Sequence, residues 1–74
     1  MAVEKITLPA ARKMANLTQK ALGEKLGVSE STVANWENGK SEPTIFQAKK
    51  IGEAVGIFYD DIIFLPKKSG LTAK

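Results

Sequence analysis

Residues 17–43 read LTQKALGEKLGVSESTVANWENGKSEP, and the punctuation of that stretch decides the fold. Thr18 precedes a run of helix formers and is placed to cap a helix over about Gln19 to Leu26, because its hydroxyl can accept an otherwise orphaned first-turn N–H. Ala21, Leu22 and Leu26 give that helix an apolar stripe at the 3.6-residue period. Gly27 supplies the left-handed conformation that ends it. Val28 fills the bend, and Ser29 caps a further helix from Glu30 to Asn38. Its apolar residues Val33 and Trp36 lie three apart on one face, and Gly39 ends it as Gly27 ended its predecessor. The result is two short capped helices joined by a tight glycine turn.

Working outward, Pro9 suits the first turn of a preceding helix, where a missing N–H is harmless. That helix follows Thr7 or Leu8 and runs to about Ala15, with Leu8, Ala11 and Met14 or Ala15 inward, until Asn16 and Leu17 break it. On the other side, Lys40 to Glu42 form a loop closed by Pro43. Thr44 caps a fourth helix, Ile45 to Val55, with Ile45, Ala48, Ile51, Gly52 and Val55 inward, and Gly56 stops it. A last short helix is expected at Tyr59 to Ile63. The fold class is therefore all-α, a compact bundle of five helices over residues 1–66. Residues 67–74 form a polar, flexible tail. Val3, Ile6 and Leu8 are suited to a small strand near the N-terminus.

Composition narrows the chemistry. At 74 residues the chain is one domain near the lower size limit for burying a self-sufficient core, and its 43% hydrophobic content is that of a globular protein. It has no cysteine and no histidine, which removes disulfides, thiolate zinc sites and the usual imidazole base. No metal site and no cofactor are expected. Asp60 and Asp61 are the only close carboxylate pair, and neighbours along a helix do not converge on one point, so an enzyme is not expected. The longest apolar run, Ile62 to Leu65, is too short to cross a bilayer, and no signal peptide is visible, so a cytoplasmic location is expected. Eleven Lys and Arg against eight Asp and Glu leave a net charge of +3. Between Thr18 and Lys40 the charges balance: Lys20, Lys25 and Lys40 face Glu24, Glu30 and Glu37. Nucleic-acid binding there has to rest on placed contacts rather than a broad basic field.

The run Leu17-Thr18-Gln19, Leu22, Leu26-Gly27-Val28-Ser29, Thr32-Val33, Trp36-Glu37-Asn38-Gly39-Lys40, Glu42-Pro43 closely resembles the Cro and lambda-repressor-like (XRE) helix-turn-helix family. The match continues through Ile51, Ala54, Gly56 and Asp60. The resemblance implies a sequence-reading binder of double-stranded DNA whose third helix enters the major groove. Base contacts would come from Glu30, Ser31, Thr32 and Asn35. Asn35 suits a bidentate pair with adenine, Glu30 suits the cytosine amino group, Ser31 suits any base edge, and the Thr32 methyl suits a thymine methyl. Phosphate contacts fall to Thr18, Gln19, Ser29, Asn38 and Lys40, with Gln19 at a helix N-terminus whose free N–H groups face a phosphate. Arg12 and Glu37 would form a structural ion pair near the DNA side. Three positions depart from the family pattern. Gly23 replaces the usual alanine, Lys49 a frequent leucine, and Phe58 a frequent capping serine.

The family habit of two-fold binding implies a homodimer, at least on DNA, over a palindromic operator. More apolar side chains gather at the C-terminal end than a core this small is expected to bury, so Phe58, Tyr59, Ile62, Phe64 and Leu65 are candidates for the dimer interface, with Phe58 or Phe64 as anchor. The alternative is that Phe64 and Leu65 fold back and pair with Ile6–Leu8 in a two-strand ribbon. The expected function is a transcriptional regulator, a small repressor of phage or prophage type. No membrane partner and no small-molecule ligand are expected. The competing reading is an antitoxin or anti-repressor that uses the fold as a protein-interaction module.

Overall fold

The computed structural model describes residues 5–64; the tail at 67–74, and Leu65, lie outside them. Helices α1 (Leu8–Met14), α2 (Gln19–Leu26), α3 (Glu30–Glu37) and α4 (Ile45–Val55) follow in order, and a single 3-10 turn occupies Tyr59–Asp61. Two short strands, β1 (Ile6–Thr7) and β2 (Ile62–Ile63), pair in parallel with Ile6 beside Ile62 and Thr7 beside Ile63.

Each α-helix starts and stops by the same local device. The hydroxyl oxygens of Thr7, Thr18, Ser29 and Thr44 accept from the N–H three residues on, at 3.3, 2.9, 3.1 and 3.0 Å. Gln47 completes a capping box by accepting from Thr44 N. At the other ends, Leu17, Val28, Lys40 and Ile57 each donate their N–H to the carbonyl five residues back, on Arg12, Gly23, Asn35 and Gly52. The residue just before each of those donors is left-handed: Asn16, Gly27, Gly39 and Gly56, with φ of 61, 78, 76 and 76°. These are Schellman stops, and only the first uses a residue with a Cβ. The segments Gly23 to Val28 and Gly52 to Ile57 share the pattern Gly-Glu-x-x-Gly-Val/Ile. A Cβ at Gly23 would lie 2.7 Å from the Val28 carbonyl oxygen, so the α2–α3 turn folds back onto a position that only glycine leaves open.

The core is Leu8, Ala11, Leu22, Val33, Trp36, Ala48, Ile51 and Ile62. α2 packs against both α3 and α4 and is the shared wall between them. Leu17, Leu26, Val28, Ile57 and Phe64 close its edges, partly buried.

Several expectations need correction. Among the described residues the domain is mostly helical, with four α-helices and a small two-strand sheet rather than five helices. Tyr59–Asp61 manages only a 3-10 turn, and the two residues that would have finished the expected helix are strand β2. Phe58, at the cap position, has no oxygen to offer the turn, and no side-chain cap bond forms there. The β-branched pair Ile62-Ile63 favours extended backbone, and its strand partner at Ile6–Thr7 outweighs another helical turn. The anticipated ribbon does exist, with Ile62 and Ile63 pairing with Ile6 and Thr7; Phe64 follows the strand, and Leu65 lies outside the described residues. Of Met14 or Ala15, expected inward, Met14 is 70% exposed and Ala15 is half-buried; Ile45, assigned inward, is 67% exposed. Ile45 opens α4 one turn before Ala48, where the buried stripe of that helix begins.

Candidate nucleic-acid interface

The α2–turn–α3 unit is built from its caps. Ser29 Oγ accepts from Thr32 N and also lies 3.0 Å from Thr32 Oγ1, so both hydroxyls are engaged inside the turn. Thr32 is half-buried, while Val33 and Trp36 are fully committed to the core. What α3 leaves outside is Glu30 and Ser31, both exposed, and Asn35, half-buried four residues after Ser31 on the same face. Among the described residues, the side chains of Glu30, Ser31 and Asn35 hold no hydrogen bond or ion pair. They are three polar groups with their bonding capacity unspent.

The frame behind them is a buried polar cluster. Arg12 Nε donates to Glu37 Oε2 at 2.6 Å, Arg12 Nη2 to Glu37 Oε1 at 3.2 Å, and Arg12 Nη1 to the Leu17 carbonyl at 2.9 Å. Gln19 Nε2 donates to Glu37 Oε1 at 2.9 Å. The Arg12 and Glu37 side chains are only 10% and 6% exposed. One carboxylate therefore accepts from α1 and from the first residue of α2 while sitting at the last residue of α3. It ties the N-terminus of α2 to the C-terminus of α3.

Gln19 thus has a duty its sequence position did not disclose: its side-chain amide is tied to Glu37. The helical bonding of α2 begins at Leu22 N to Thr18 O, and the Thr18 hydroxyl takes Ala21 N. The N–H groups of Gln19 and Lys20 lie ahead of both. Beyond α3, Asn38 and Lys40 are exposed, and Lys40 N is held to the Asn35 carbonyl at 2.9 Å, which sets the loop carrying its ammonium.

Pairing also changes the charge balance. Glu37 is buried and matched by Arg12, so the exposed charges between Thr18 and Lys40 are Lys20, Lys25 and Lys40 against Glu24 and Glu30. The accessible face is mildly basic, not neutral.

The residues considered for a dimer contact separate. Ile62 is 5% exposed and belongs to the core and to β2, which removes it from any surface patch. Phe64 is half-buried against the core, and Leu65 lies outside the described residues. Tyr59 is half-buried, and Phe58 is 67% exposed, with its ring 5.5 Å from that of Tyr59. Phe46 escaped notice in the sequence, although it falls between the inward positions of α4; it is 69% exposed under the Lys50 ammonium. Among the described residues no group of His, Cys, Asp or Glu could hold a metal ion, and no helix is long and apolar enough to cross a membrane.

The helix-turn-helix family matches residues 10–57, which spans α2 and α3 and the pieces that hold them. A protein of Methanocaldococcus jannaschii described as an HTH-type transcriptional regulator is 43% identical over 51 residues, covering 69% of this chain and 77% of that protein. A second, from Methanothermobacter thermautotrophicus and described in the same words, is 34% identical over 59 residues, covering 80% of this chain and 86% of its own length. No solved structure matches the chain.

Proposed function

Because the chain belongs to the XRE-type helix-turn-helix family, we propose that this transcriptional regulator is a small repressor of phage or prophage type, acting in the cytoplasm as a homodimer on a palindromic operator. In this reading α3 lies in the major groove with Glu30, Ser31 and Asn35 against base edges and the Thr32 methyl beside a thymine. The observation that carries the reading is the unspent bonding capacity of those three polar side chains on a helix whose other face is locked into the core. The first-turn N–H groups of α2, with Thr18 and Gln19 shaping that turn, clamp one phosphate. The loop bearing Asn38 and Lys40 grips another, with the Ser29 turn between them. Repression follows from occupancy: the bound domain blocks the promoter it stands on.

Selection of preferred duplexes from a random DNA pool tests the reading. A defined two-fold site is expected. On that site Asn35→Ala should relax preference at one base pair by about 1–3 kcal/mol, whereas Lys40→Ala should weaken binding evenly across sequences and flatten its salt dependence. Failure to enrich any sequence, or equal losses on specific and random DNA for both variants, would overturn it.

A further inference from the structure

At the start of α4 a groove of about 360 Å³ opens between that helix and the stretch that runs from the 3-10 turn into β2. Pro43, Ile45 and Phe64 are among its apolar walls, and the exposed residues Glu42 and Asp60 edge it with carboxylates. Ile45 leaves 67% of its surface in water there. Among the described residues the Asp60 side chain holds no hydrogen bond or ion pair. Lys49, over the Tyr59 ring, lines the neighbouring groove and not this one.

We propose that the groove is covered by the chain's own continuation, Leu65 to Leu71. Leu71 packs on Ile45 and Pro43, and Lys67 and Lys68 reach the carboxylates of Asp60 and Glu42. The chain leaves β2 at Phe64, which is itself a wall of the groove, so the residues that follow are delivered to it. Burial over Ile62, Ile63 and Phe64 runs in, out, in, and the same alternation turns Leu65 outward. Pro66 has no N–H to extend the ladder. Ser69-Gly70 has the chemistry of a turn, and Leu71, seven residues past Phe64, has a reach of up to about 25 Å.

Charge selects this occupant over others. Residues 65–74 carry Lys67, Lys68 and Lys74 and no acidic side chain. A polyanion such as DNA meets two carboxylates at this face, and a second copy presenting the same face brings like charges together. A tethered segment also has an advantage over a free basic peptide, because its effective concentration at the groove is in the millimolar range.

NMR of the full chain without DNA tests the proposal. The expected result is a set of contacts from the Leu71 methyls to Ile45 and Pro43. Leu71→Ser should lower the docking equilibrium constant at least about ten-fold, with the circular dichroism of the helices unchanged. Lys67→Glu with Lys68→Glu should lower it at least about three-fold, and adding Glu42→Lys with Asp60→Lys to that chain should restore it. No contact between Leu71 and Ile45, docking indifferent to Leu71→Ser, or charge reversals without effect would each overturn the proposal. So would contacts that prove intermolecular in a mixture of labelled and unlabelled chains. With no DNA present, none of these outcomes depends on whether the protein reads a sequence.

Discussion

Replacing Glu37 probes the cluster that joins three helices. Its two oxygens receive only donors: Arg12 Nε on one, Arg12 Nη2 and Gln19 Nε2 on the other. Glu37→Gln turns one acceptor into a donor and leaves the guanidinium without its counter-charge. If the new NH2 group faces Arg12 Nε, it opposes the shortest bond of the set, at 2.6 Å. If it faces the other way, Gln19 can flip its own amide to accept, and one donor still points at Arg12 Nη2. No arrangement satisfies every group. With both side chains about nine-tenths buried, loss of one partner falls in the regime of about 3–5 kcal/mol. For a domain this small, total stability is roughly 4–11 kcal/mol, so a large part of it is at stake. Thermal unfolding followed by circular dichroism should shift down by about 12–40 °C. Arg12→Met should cost a similar amount, because it strands the carboxylate and the Leu17 carbonyl together. The double variant Arg12→Met/Glu37→Leu removes both charges and should recover most of the loss, giving a coupling energy of at least about 2 kcal/mol. Two single variants each losing under about 1 kcal/mol, with additive effects, would mean that the pair behaves as an exposed one and would refute the reasoning.

Two further variants test the turns. Asn16→Gly relieves the one left-handed residue that carries a Cβ, and should raise stability to urea by about 0.5 kcal/mol; a lower midpoint would show that the Asn16 side chain has an unrecognised partner. Gly23→Val pushes a branched side chain against the Val28 carbonyl and should destabilise by about 1–3 kcal/mol despite being apolar, with the α2–α3 turn displaced in amide chemical shifts. A stability equal to that of the parent chain would contradict the close approach.

The parts of the fold legible in the sequence are those fixed by local bonds. Thr18 with Gly27, Ser29 with Gly39 and Thr44 with Gly56 delimit three helices because each cap bond reaches three residues and each stop five. The segment from Tyr59 to Ile63 is not legible in the sequence, for the opposite reason. Tyr59 to Ile63 has helical spacing, but Ile62 and Ile63 answer to Ile6 and Thr7 at the other end of the domain, and no local pattern reports such a pairing. Gln19 shows the same limit at the candidate site. A glutamine opening a helix reads as free for a phosphate, yet its side-chain partner is Glu37 on another helix. Counting charges likewise made residues 18–40 neutral, since a count cannot tell a buried, paired glutamate from an exposed one.

These constraints bear on how an eight-residue helix can hold its shape at all, as the proposed function requires of α3. An isolated helix of that length is not stable in water, because nucleation outweighs the few bonds it gains. α3 is held from both ends instead: Ser29 and Thr32 close its first turn, and Glu37 anchors its last residue to Arg12 and Gln19. Val33 and Trp36 hold the middle. The structural duties of α3 thus fall on Thr32, Val33, Trp36 and Glu37, and Glu30, Ser31 and Asn35 carry none. Among the described residues no side-chain hydrogen bond or ion pair ties those three positions to the fold, so on the proposed function a new sequence preference can arise on the same frame. On the proposed function, damage to Glu37 would weaken DNA binding without touching Glu30, Ser31 or Asn35.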